Sequence, residues 1–107
     1  GKNYPVTILG FSQGSATASR WAVTNQVAFE RLILWAGIFP PDMNFADGKE
    51  ILSRKKVTMV YGTRDPFLND SRFGEMEQLA ARLDIRPEVI SFEGEHDIDE
   101  ATLLQLL

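Results

Sequence analysis

The chain has 107 residues, room for one small domain, and its 44% hydrophobic and 24% charged residues are those of a folded globular protein, not a disordered one. A net charge of −4 with no basic stripe argues against a nucleic-acid binder, and the lack of cysteine excludes a disulfide framework, a thiolate metal site and a cysteine nucleophile. No apolar run approaches the ~20 residues that cross a bilayer, and no signal peptide is visible, so a cytoplasmic location is expected.

Short apolar runs alternate with amphipathic ones along the chain. Residues 5–10 (PVTILG) read as a buried strand, being short, apolar and partly β-branched. Residues 13–26 read as a helix whose small residues would face a sheet. Trp21 on that helix reads as a packing residue. Residues 31–36 (RLILWA) form the next predicted strand, and Pro40-Pro41 then forces a loop. A short helix is expected near 47–54, and a third strand over 57–62 (VTMVYG). Residues 70–83 read as a helix capped by Asp70 or Ser71. A fourth strand over 87–92 (PEVISF) and a final helix over 98–107 complete the chain. Asn69-Asp70-Ser71 also matches a glycosylation sequon, a pattern too short to carry weight.

Near-continuous apolar strands alternating with helices predict an α/β fold, a parallel sheet with helices on both faces. Active sites of such sheets lie beyond the carboxyl ends of the strands. That rule singles out residues 10–14, 36–41, 62–67 and 93–97.

The first of these stretches is Gly10-Phe11-Ser12-Gln13-Gly14, a G-x-S-x-G pattern that chance alone yields in about 3% of chains this long. A strand before it and a helix after it strengthen the signal. Such a serine occupies a strained strand-to-helix turn that lifts its hydroxyl clear of the sheet. Gly10 and Gly14 are expected where side chains would collide as strand and helix cross. The backbone N–H of Gln13 would face a developing oxyanion, aided by the partial positive charge of the helix start.

A serine hydroxyl needs a base, and the one histidine, His96, follows the fourth strand. The base in turn needs an acid to orient it. Asp65, after the third strand, is the choice over Asp97, because chain neighbours seldom orient one another's side chains. Phe11, Trp35, Phe39 and Phe67 cluster near strand ends. They read first as core, with Phe11, Phe39 and Phe67 as the acyl-pocket alternative. The acidic residues Glu93, Glu95, Asp97, Asp99 and Glu100 lack cation-site spacing and read as a solvated loop and helix start.

With these residues in view, Gly10-Phe11-Ser12-Gln13-Gly14, Tyr61-Gly62-Thr63-Arg64-Asp65-Pro66 and Gly94-Glu95-His96-Asp97-Ile98 resemble the carboxyl-terminal half of the phospholipase/carboxylesterase family of α/β-hydrolases, the group that includes acyl-protein thioesterases. The resemblance covers nearly the whole chain, read as a single segment, 1–107. It departs from the family at Glu95, where Gly is usual. It implies a nucleophile at Ser12, an acid at Asp65 and a base at His96. It also implies hydrolysis of a small-molecule or lipid ester through an acyl-enzyme, with no metal or organic cofactor and no nucleic-acid partner.

Family members extend well before the elbow, and a loop from that region supplies the second oxyanion donor. The chain begins at Gly1, so the resemblance implies a piece of a longer protein, impaired when alone. Its strand 5–10 would then leave an edge open to self-association or to its own missing half. A thioesterase or peptidase on the same fold, and a non-catalytic assembly module, stand as alternatives.

Overall fold

The structure, a computed structural model, describes residues 6–24, 29–40, 42–66 and 68–106. Its elements run β1 (Thr7–Phe11), α1 (Gln13–Ala22), β2 (Arg31–Trp35), α2 (Phe45–Leu52), β3 (Lys56–Gly62), α3 (Asp70–Arg82), β4 (Glu88–Phe92) and α4 (Glu100–Leu106). The four strands form one parallel sheet in the order β1-β2-β3-β4, so each βαβ step places the next strand beside the last.

Strand alternation divides the core. Ile8, Leu32, Leu34, Val57 and Met59 face one side and pack against Ala18 and Ala22 of α1, Leu52 of α2, and Met76 and Leu79 of α3. Ile33, Trp35, Val60 and Phe92 face the other, where Leu103 and Leu106 of α4 cover them. Helices thus lie on both faces, but unequally: three on one and a seven-residue helix on the other. β2 is the sheet's hydrophobic axis. Its residues Leu32 to Trp35 are fully buried, and each such side chain contributes about 1.5–3 kcal/mol of transfer free energy.

Element ends depart from expectation for local reasons. β1 continues through Phe11, and Pro5 lies outside the described residues. α1 stops at Ala22; positions 25–26 of the expected helix lie outside the described residues. α2 begins earlier than expected because Asn44 caps it, its Oδ1 accepting from the Asp47 N–H at 3.1 Å. For α3 the cap is neither Asp70 nor Ser71. Asn69 sits in extended backbone and accepts the Arg72 N–H at 3.0 Å, which moves Asp70 into the first turn. α4 starts two residues late because Asp99 caps it, accepting both the backbone N–H of Thr102 at 3.0 Å and its hydroxyl at 2.6 Å. Trp21 is 49% exposed and is not a packing residue, because α1 presents Ala18, Ser19 and Ala22 to the sheet instead.

Candidate active site

The strand ends are tied in a stepped series of backbone hydrogen bonds. Ser12 N–H donates to the Trp35 carbonyl (2.8 Å), and Ala36 N–H to the Val60 carbonyl (2.7 Å). Beyond β3, Thr63 N–H donates to the Phe92 carbonyl (2.9 Å) and Arg64 N–H to that of Gly94 (2.8 Å). The parallel ladder therefore continues past the strands, tying the turn after β1 to β2, that after β2 to β3, and that after β3 to β4 and its loop.

At the first loop Ser12 takes φ 57°, ψ −120°, a conformation that L-residues rarely adopt. It occupies the N-cap of α1, yet its side chain makes no capping bond. The hydroxyl points the other way, 2.8 Å from His96 Nε2. His96 Nδ1 lies 2.7 Å from Asp65 Oδ2, and the Asp65 side chain is fully buried. With the proton on Nδ1 the imidazole donates to Asp65, leaving Nε2 to accept from Ser12. The side chain of His96 is 26% exposed and borders the Phe11 ring at a centroid distance of 5.2 Å. Ser12, Asp65 and His96 are thus brought together from positions 84 residues apart at the extremes. The carboxylate on His96 is that of Asp65 and not of Asp97, whose backbone carbonyl instead accepts the Trp35 indole N–H at 2.9 Å.

The glycines divide by role. A Cβ on Gly10 would lie 2.5 Å from the Gly14 carbonyl oxygen and 2.7 Å from the Ser15 Cα, so the close strand–helix crossing expected there is real. Gly14 does not fit that expectation. Nothing lies within 4 Å of its would-be Cβ: its backbone abuts the strand, but a side chain there would point into open space. Two unpredicted glycines matter more. A Cβ on Gly37 would stand 2.4 Å from both the Ser12 carbonyl oxygen and Ser15 Oγ; one on Gly62 would stand 2.3 Å from the Glu95 carbonyl oxygen. These close approaches press the loop after β2 against the elbow and the His96 loop against β3. Ser15, which the sequence pattern does not single out, is fully buried and donates its hydroxyl to the Gly10 carbonyl at 3.0 Å, tying helix to strand beneath Ser12. Its only signal is a small polar residue one turn into a helix that otherwise faces a sheet.

Gln13 opens α1, where the helix supplies no partner for its backbone N–H, and lines a cavity of about 340 Å³ together with Ser12. Phe39 is fully buried and also borders that cavity, so the core and pocket readings meet in one side chain. Phe11 packs beside His96, not in this cavity. Phe67 lies outside the described residues. A larger cavity, about 560 Å³ between α3 and β4, shares no lining residue with the one at Ser12. Glu93, Glu95, Asp97 and Glu100 are exposed. Among the described residues no acidic, histidine or cysteine group is arranged to hold a metal ion, and no helix is long and apolar enough to cross a membrane.

The family described as serine hydrolase (FSH1) matches residues 2–102. A search of curated proteins gives no match. Among solved structures, the chain is similar to an uncharacterized protein from Bacillus cereus (21% identity, TM-score 0.68), with 97% of this chain aligned to 36% of that one. It is also similar to a dienelactone hydrolase-like promiscuous phosphotriesterase from metagenomic libraries (22%, 0.63; 86% and 37%) and to a ferulic acid esterase (16%, 0.65; 92% and 48%). These likenesses establish the α/β-hydrolase fold read from the motifs. The chain spans between about a third and a half of the length of these structures.

Proposed function

The chain belongs to the FSH1 serine hydrolase family, and from that premise we propose that it carries the acyl-transfer centre of a carboxylic ester hydrolase, of carboxylesterase or lysophospholipase type, with Ser12 as nucleophile, His96 as base and Asp65 as the acid that orients it. The observation behind this reading is the unbroken hydrogen-bond chain from Ser12 Oγ through His96 to Asp65. Ser12 Oγ attacks the ester carbonyl carbon while its proton passes to His96 Nε2. The oxyanion so formed faces the Gln13 N–H at the start of α1. The C–O bond to the alcohol then breaks, and the leaving oxygen takes the proton from His96. Water repeats the sequence on the acyl-enzyme, giving the acid and restoring Ser12. Asp65, buried and bonded to Nδ1, stabilises the imidazolium in both halves.

Gln13 supplies one oxyanion donor, and the second comes in this fold from a loop before the elbow. Removing one such donor typically costs about 10²–10³ in turnover. The test has two readouts, a chromogenic short-chain ester and covalent labelling by a fluorophosphonate. Labelling is expected at Ser12 and lost in His96→Ala, and ester turnover is expected to be lost with it. Labelling that persists in Ser12→Ala overturns the assignment.

A further inference from the structure

We propose that the pocket beside Ser12 selects acyl groups bearing a distal carboxylate, which Arg20 and Arg72 hold at its far end. This deepens the ester-hydrolase reading and rests on Ser12 as nucleophile. The pocket's near walls are apolar, formed by Ala16, Ile38, Phe39 and Leu68. Arg20 and Arg72, from α1 and α3, line it as well, as does Glu75, the ion-pair partner of Arg72. On α1 the lining residues Gln13, Ala16 and Arg20 recur at steps of three and four, so they form one stripe leading from the nucleophile to the guanidinium. At 1.5 Å per residue, Arg20 stands about 12 Å along the helix from Ser12, the reach of a medium acyl chain.

Each guanidinium already has a carboxylate neighbour, Asp42 for Arg20 and Glu75 for Arg72, which an incoming acid would displace. Arg20 meets Asp42 at 2.7 Å and Arg72 meets Glu75 at 3.7 Å, but the arginine side chains are 50% and 47% exposed. Exposed pairs of this kind are worth about 0–1 kcal/mol, less than a bidentate carboxylate held at a pocket's end. On the His96 loop, Glu95 and Asp97 flank the histidine and are exposed. An acyl tail ending in a carboxylate is thus drawn toward α1 and α3 and kept from the His96 loop, which leaves that side to the alcohol.

Binding is measured by calorimetry, titrating suberate and, separately, octanoate into the whole chain, since the two differ by one terminal carboxylate. Suberate is expected to bind at least tenfold tighter, and the ratio to fall to about one in Arg20→Gln/Arg72→Gln. Equal affinities in the wild type, or an unchanged ratio in the double variant, overturn the subsite. Because this readout needs no turnover, an absence of ester cleavage counts against the hydrolase reading alone. Where esters are cleaved, the p-nitrophenyl monosuberate to p-nitrophenyl octanoate ratio of kcat/KM should drop likewise in the double variant, and fall below one in Arg72→Glu.

Discussion

Ser12 combines two local costs that a structural serine would avoid. Its backbone holds φ 57°, a conformation that costs a non-glycine residue about 1–3 kcal/mol, and its hydroxyl forgoes the N-cap bond worth about 1 kcal/mol. The hydroxyl's bond goes to His96 instead, while the backbone bonds of Ser12 survive removal of the side chain, so Ser12→Gly should stabilise the fold while ending Ser12 labelling; urea midpoints and labelling measure the two effects. The glycines around it make a sharper comparison. Gly37→Ala forces a Cβ to within 2.4 Å of the Ser12 carbonyl oxygen and should cost about 1–3 kcal/mol and most of the labelling rate. Gly14→Ala meets nothing within 4 Å and should gain up to about 1 kcal/mol of helix propensity. Thermal unfolding of the two variants decides this. Were Gly14→Ala the more damaging of the two, the elbow could not have the open helix face and crowded neighbouring loop described above.

At the scale of elements, what aims the side chains is how helices begin and loops are pinned. Asn69→Ala removes the cap of α3 and should destabilise by about 0.5–2 kcal/mol, whereas Asp70→Ala should cost less, reversing the order expected from sequence; denaturant titration reads the difference. The Trp35 indole joins β2 to the segment after His96, so Trp35→Phe leaves the Asp97 carbonyl without its donor and should cost about 1–3 kcal/mol while slowing Ser12 labelling. Asp99 carries the pH dependence of α4. The Thr102 hydroxyl and N–H, in that order, hold its carboxyl below the ordinary 3.8. The folded chain then binds fewer protons than the unfolded one in that acidic range. Stability from this cap is present above the ordinary carboxyl value and is lost as pH falls through the depressed one. Asp99→Asn keeps a cap but should flatten that acid slope in urea midpoints taken across the range.

For the whole molecule, β1 pairs only with β2 among the described residues, leaving an edge beside Ser12. An unpaired edge of this kind can pair with a strand of another copy, so light scattering should show association that Leu9→Lys in β1 suppresses. Several features were legible in the linear order of residues. Apolar runs of five to seven residues separated by amphipathic stretches foretold the alternating elements and the parallel sheet. G-F-S-Q-G foretold the strained turn at Ser12, and a lone histidine after the last strand foretold the ring that meets its hydroxyl. Those features are short-range or one of a kind, and a chain's own period and composition express them directly. What no local pattern could settle was contact across the ladder. Gly37 and Gly62 look like any loop glycines until another loop's carbonyl lies where their side chains would be. Asn69 outranks Asp70 as a cap only because the backbone is extended at that residue. Arg20 and Arg72 share a pocket because α1 and α3 pack on the same face of the sheet. Residue order alone sets which reactive groups are present and the succession in which strands deliver them. Their separations and approach directions come from the folded arrangement, because those depend on register and packing between segments dozens of residues apart.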